Sequence, residues 1–133
     1  MLFRSLFDTI ETLDRPKLAH ALAAEMTASG RRVPCLIEVN VGEEPQKAGV
    51  LPADLPQFLT LCQAELDLPV QGLMCIPPRG EPAAPYFAFL SKLADRHRLE
   101  QRSMGMSEDF EIAVAMGATS VRVGSAIFGA RGA

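Results

Sequence analysis

Two stretches of this 133-residue chain carry residues whose types and spacing suit the capture of a phosphate group. In the first, Ser103-Met104-Gly105-Met106-Ser107, a strand-like run passes through a glycine to a serine placed to cap the helix that follows. In the second, Arg122-Val123-Gly124-Ser125-Ala126, an arginine in an apolar strand precedes a glycine, whose missing side chain lets the backbone approach a ligand, and then a serine opening a short helix. A helix N-terminus offers unpaired N–H groups and the positive end of the helix dipole. Two of them side by side, each with a serine hydroxyl, make an anion cradle for a phosphate monoester. Serine is also an ordinary N-cap and glycine an ordinary turn residue, so spacing alone leaves the structural reading open. Arg122 stands between Val121 and Val123, and a buried guanidinium needs a partner; a ligand and a structural ion pair satisfy that need equally well.

Other chemistries find less support. Lys47 lies on a polar loop after a strand, from which it could reach a site at the strand ends, although a loop lysine is most often simply solvated. Lys17 and Lys92 sit on helical segments and read as surface charges. His20 and His97 have no Cys, His or carboxylate at ligand spacing, and Cys35, Cys62 and Cys75 are odd in number, two of them inside apolar strand-like runs. Neither a metal site nor a disulfide is expected. No Ser-His-Asp or Cys-His set stands out, and Asp8, Glu11, Glu38 and Asp109 have no spacing that singles out an acid/base pair, so no catalytic residue is assigned.

The elements that must position these residues alternate in period. Residues 8–13 (DTIETL) read as a short strand; Asp14 is placed as N-cap and Pro16 in the first turn of a helix that Gly30 closes. A mostly continuous apolar run over residues 33–41 suits a parallel strand buried on both faces. A polar loop over residues 42–50 leads to a helix over residues 52–65 and a third strand over residues 70–76. Pro77-Pro78-Arg79-Gly80-Glu81-Pro82 can only be loop. A helix over residues 84–98, a strand over 99–104, a helix from Ser107 to about Met116, a strand over 119–124 and a short terminal helix complete the pattern. Five strands separated by four helices spell successive βαβ units and a parallel sheet, in which ligands bind past the strands' carboxyl ends. One domain over residues 1–133 is expected.

Composition narrows the partners. With 48% hydrophobic and 22% charged residues the chain is an ordinary globular sequence. A net charge of -3 leaves no basic face for nucleic acid, and residues 1–7, apolar but holding Arg4, make neither a signal core nor a membrane span. A cytoplasmic location follows by default.

At this point the residues resemble a known family. SMGMSEDF at residues 103–110 and GATSVRVGSAIFGAR at residues 117–131 look like the C-terminal signature of the pyridoxal-phosphate homeostasis (YggS-like) proteins. LIEVNV (36–41), KAGV (47–50) and GLMCIPP (72–78) agree in order and spacing. The resemblance implies a partial TIM-type (β/α) barrel similar to the alanine racemase N-terminal barrel, with pyridoxal phosphate at the strand ends. It would place Ser107, Gly124 and Ser125, with Val123 beside them, around the phosphate, and Arg122 against the pyridine nitrogen. It further implies a carrier and regulator of the cofactor, without catalysis; an alanine-racemase-type enzyme and a non-binding fragment are the alternatives. The family's Schiff-base lysine comes from the first strand, upstream of anything matched here, so impaired covalent binding is expected. A full barrel takes roughly 250 residues, so a missing N-terminal segment or a homodimer would have to complete this one.

Overall fold

The structure is a computed structural model that describes residues 9–122. Five strands, β1 (Ile10–Leu13), β2 (Cys35–Glu38), β3 (Val70–Met74), β4 (Gln101–Met106) and β5 (Ser120–Arg122), form one parallel sheet in the order β1-β2-β3-β4-β5. Parallel neighbours require a crossover, and a helical segment fills each one. These are α1 (Pro16–Ser29), α2, α3 (Ala84–Arg96) and α4 (Phe110–Ala115). Helix α2 is composite, running from a 3-10 turn (Pro52–Asp54) through α-helix (Leu55–Leu59) into a π-helical stretch (Thr60–Glu65). Its limits match the sequence expectation.

Strand alternation sorts the side chains onto two faces. Cys35, Ile37, Val39, Leu73, Cys75 and Met104 join a single apolar core with Leu22 and Met26 of α1, Leu55 and Phe58 of α2, and Phe87 and Leu90 of α3. The alternate positions, Leu36 and Glu38 on β2, Met74 on β3 and Ser103 on β4, point to the opposite face. That face is concave. Strands β1 and β5 have three others between them, so in a flat sheet they would lie about 19 Å apart. Yet Arg122 Nη1 on β5 stands 3.3 Å from Glu11 Oε1 on β1, a distance that only a strongly curled sheet, the arc of a barrel, allows.

Several expected boundaries shift, each for a local reason. Strand β2 stops at Glu38; beyond it Val39 makes an isolated bridge with Val50, because the loop doubles back onto the strand end. Strand β3 ends at Met74 and β4 runs from Gln101 to Met106, two residues later at each end than expected. Asp14 does not cap α1. Arg15 occupies that position, while the Asp14 carboxylate accepts a hydrogen bond from the Gly49 N–H (3.0 Å) and pairs with Arg15. Ser107 does not cap α4 either. Asp109 stands at the cap, its Oδ1 accepting from the Met106 N–H (2.7 Å), so Ser107 belongs to the preceding turn. Gly30 closes α1, its N–H donating to the Met26 carbonyl. Cys35, Cys62 and Cys75 are buried free thiols. His20 is exposed and His97 half-buried. Among the described residues no cluster could hold a metal ion, and no helix is long and apolar enough to cross a membrane.

Candidate functional site

A cleft of about 750 Å³ opens past the carboxyl ends of β3 and β4. One wall continues β3: Cys75, whose N–H still donates to the Ser103 carbonyl (3.1 Å), then Ile76, Pro77 and Pro78. The two prolines carry no N–H and end the ladder there, which turns the chain outward into a loop. That loop is tied down by Tyr86, whose hydroxyl donates to Glu81 Oε1 (2.6 Å). The facing wall follows β4 through Gly105, Met106 and Ser107 to Asp109. Lys47 contributes from the loop after β2.

The Lys47 loop is held in place by four hydrogen bonds and a close crossing at Gly49. Asn40, buried, accepts at Oδ1 from the Glu44 N–H (3.1 Å) and donates from Nδ2 to the Glu44 carbonyl (2.8 Å). The Asn40 N–H donates to the Val50 carbonyl and the Val50 N–H to the Glu38 carbonyl. Gly49 has φ +112 and lies so close to the β2 end that a Cβ there would meet the Asn40 backbone nitrogen at 2.6 Å. Only glycine fits such a crossing.

The cleft's chemistry is mixed. Lys47 and Arg79 bring positive charge, and Glu81, Glu108 and Asp109 negative charge. Ile76 and Met106 are each 47% exposed, an unusual position for large apolar side chains and one suited to a flat ring laid across the mouth.

On the concave face, beside Cys75 of the cleft, Arg122 is held from β1, β4 and the end of β3. Its Nη1 donates to Ser103 Oγ (2.7 Å) and to Glu11 Oε1 (3.3 Å), and its Nη2 to the Cys75 carbonyl (3.3 Å). Ser103 Oγ in turn donates to Glu11 Oε1 (2.6 Å). Nearby Glu38 has its carboxyl pushed above the usual range, chiefly by burial and further by Asp14, with Arg122 partly offsetting both. Burial likewise pushes the Cys75 thiol up to about 12, against the pull of Arg122.

Of the residues singled out from sequence, Ser107 lines the cleft, whereas Arg122 lies outside its lining and is joined to it by the hydrogen bond to the Cys75 carbonyl. In this structure Arg122 has a carboxylate, a hydroxyl and a carbonyl as hydrogen-bond partners. Val123, Gly124 and Ser125 lie outside the described residues. Two functional candidates went unassigned, Glu11 and Ser103. Glu11 is a charged residue within an otherwise strand-like run, which could have marked it as facing inward.

A parallel β/α arc with its cleft at the strand carboxyl ends defines a barrel-type class of protein. The chain belongs to the alanine racemase N-terminal domain family, which matches residues 4–132. Within that class it is similar to pyridoxal phosphate homeostasis proteins. That of Aquifex aeolicus is 42% identical over 134 residues, covering 92% of this chain and 58% of the relative. That of Pseudomonas aeruginosa is 39% identical over 130 residues, covering 94% and 56%. The chain thus spans little more than half the length of these relatives. Among solved structures, an unknown protein from Bifidobacterium adolescentis superimposes with a TM-score of 0.83 at 34% identity, over 91% of this chain and 53% of that one. PipY of Synechococcus elongatus, solved with pyridoxal phosphate (PLP) bound, gives 0.67 at 36% identity, over 88% and 58%.

Proposed function

We propose that this chain is one incomplete β/α-barrel domain that binds pyridoxal phosphate and serves in its homeostasis, as a carrier and not as an enzyme. The observation that carries the reading is the cleft at the carboxyl ends of β3 and β4, where Ser107 meets the exposed faces of Ile76 and Met106. Relatives named for pyridoxal phosphate homeostasis, and a neighbour solved with PLP bound, support the choice of ligand.

The residues present fit the group in part. Ile76 and Met106 offer apolar surface to a pyridine ring, and the Ser107 hydroxyl stands at the turn where the resemblance places the phosphate. The described lining has no cationic excess, so the phosphate would rely on Ser107 and backbone N–H groups, together with the expected contribution of Gly124 and Ser125. Bound PLP supplies an aldehyde and an electron-withdrawing ring. Arg122, a donor with no acceptor to offer, would face the pyridine nitrogen and keep that nitrogen unprotonated, which weakens the ring as an electron sink.

Lys47 is the one lysine on the cleft wall; Lys17 and Lys92 are exposed on α1 and α3. Incubation with PLP, borohydride reduction and peptide mapping of the intact chain therefore test the placement. Any stoichiometric adduct is expected on Lys47. Equal labelling of Lys17, Lys47 and Lys92 would refute binding in this cleft.

A further inference from the structure

We propose that Glu11 is a positioning residue of the PLP site, acting through Arg122; the inference rests on the binding reading above. Arg122 ends the three-residue strand β5 and its side chain is 32% exposed, so nothing in its own strand selects one pose for so long a side chain. The pose comes from across the barrel. A single oxygen, Glu11 Oε1, accepts both from Ser103 Oγ (2.6 Å) and from Arg122 Nη1 (3.3 Å). By accepting the Ser103 O–H hydrogen bond, the carboxylate turns the hydroxyl lone pairs toward Arg122, whose Nη1 donates to that oxygen at 2.7 Å. Glu11 therefore holds the guanidinium twice, once by charge and once by orienting the serine.

The Cys75 carbonyl fixes the other arm of the fork at 3.3 Å, and Cys75 also lines the cleft. The guanidinium is thus clamped between β1, β4 and the end of β3, next to the cleft lining at Cys75. Without Glu11, the serine hydroxyl is free to rotate and donate elsewhere. The guanidinium would then re-aim toward the remaining carboxylate on this face, Glu38, which already feels its charge. Glu11 is far from the cleft in sequence and does not line it, so its influence on the cofactor runs through Arg122 alone.

The test is a double-mutant cycle on the full chain, reading PLP affinity and the absorption spectrum of bound PLP for E11A, R122A, E11A/R122A, E11Q and S103A. Single removal of either Glu11 or Arg122 is expected to weaken PLP about tenfold, the worth of a charge-assisted hydrogen bond. Both are expected to displace the absorption maximum in the same direction. The double variant should be no worse than R122A, since residues acting as one unit are not additive. E11Q keeps an acceptor oxygen for both donors but loses the charge, and should recover only part of the affinity. Should E11A fail to fold, S103A and E11Q carry the same comparison. The proposal is overturned if E11A lowers only thermal stability while R122A changes affinity and spectrum, which would make the Glu11 contact purely structural. If R122A leaves both unchanged, Arg122 does not face the cofactor, and the reading beneath the proposal fails first.

Discussion

Gly49 offers the sharpest test of how the Lys47 wall is built. Two separate costs are expected for Gly49→Ala. Its φ of +112 is a conformation L-residues rarely adopt, costing about 1–3 kcal/mol. The new Cβ would also meet the Asn40 nitrogen at 2.6 Å and the Val39 carbonyl carbon at 3.0 Å. These are backbone atoms of the β2 end and cannot swing aside, so overpacking adds about 1–3 kcal/mol. Relief would pull the loop off the strand, stretching the Asn40–Val50 and Val50–Glu38 backbone bonds and the Gly49–Asp14 bond. A total of about 4 kcal/mol corresponds to a Tm lower by about 12 °C for a domain of this size. Gly80→Ala is the control: φ is +78, but nothing lies within 4 Å of the added carbon, so only the conformational cost of about 1–2 kcal/mol remains. Urea unfolding of both variants measures the difference directly. If Gly49→Ala costs no more than Gly80→Ala, the close crossing of loop and strand is wrong.

Phe87 has no exposed surface and sits in the core between α3 and the sheet, so Phe87→Ala should cost about 3–5 kcal/mol in urea unfolding. The Glu38 carboxyl is raised by burial and by Asp14, so the folded state holds its proton more tightly than the unfolded state. Its stabilising contribution is complete below the ordinary carboxylate value and is lost as pH rises through the raised one. Glu38→Gln should therefore raise Tm relative to wild type at neutral pH and erase that gain toward pH 4, as followed by thermal melts across that range. Burial pushes Cys35 up to about 11 and Cys62 up to about 12. At pH 8 the folded thiols should resist a disulfide reagent, with thiolate fractions on the order of one in a thousand or below, and react only at the unfolding rate. A thiol that reacts stoichiometrically and fast in the folded chain would contradict their burial.

Much of this architecture was legible in the apolar period, because strands buried on the helix side and helices with one apolar stripe alternate cleanly along the chain. The composite α2 kept its expected limits even though its last turns are π-helical, since the same apolar face must reach the sheet. Caps were less legible. Asp14 and Ser107 have the right chemistry for capping, but Asp14 is engaged by Gly49, 35 residues away, and Asp109 displaces Ser107 by taking the Met106 N–H. Ser107 nonetheless lines the cleft, because it follows the carboxyl end of a strand, where position rather than capping decides. That Arg122 needs a partner was legible; that the partner is Glu11 was not. Glu11 and Arg122 are 111 residues apart, and they meet only because the curl of five strands brings the two ends of the sheet together across the concave face.

The most direct test of PLP binding through its phosphate is an equilibrium titration of the chain with PLP and with pyridoxal, which lacks the phosphate, repeated for Ser107→Ala. Binding at the cleft through Ser107 requires that PLP bind at least about tenfold more tightly than pyridoxal, with that preference reduced in the variant by the worth of one charge-assisted hydrogen bond. Equal affinity for the two ligands, or a preference that Ser107→Ala leaves untouched, would contradict it.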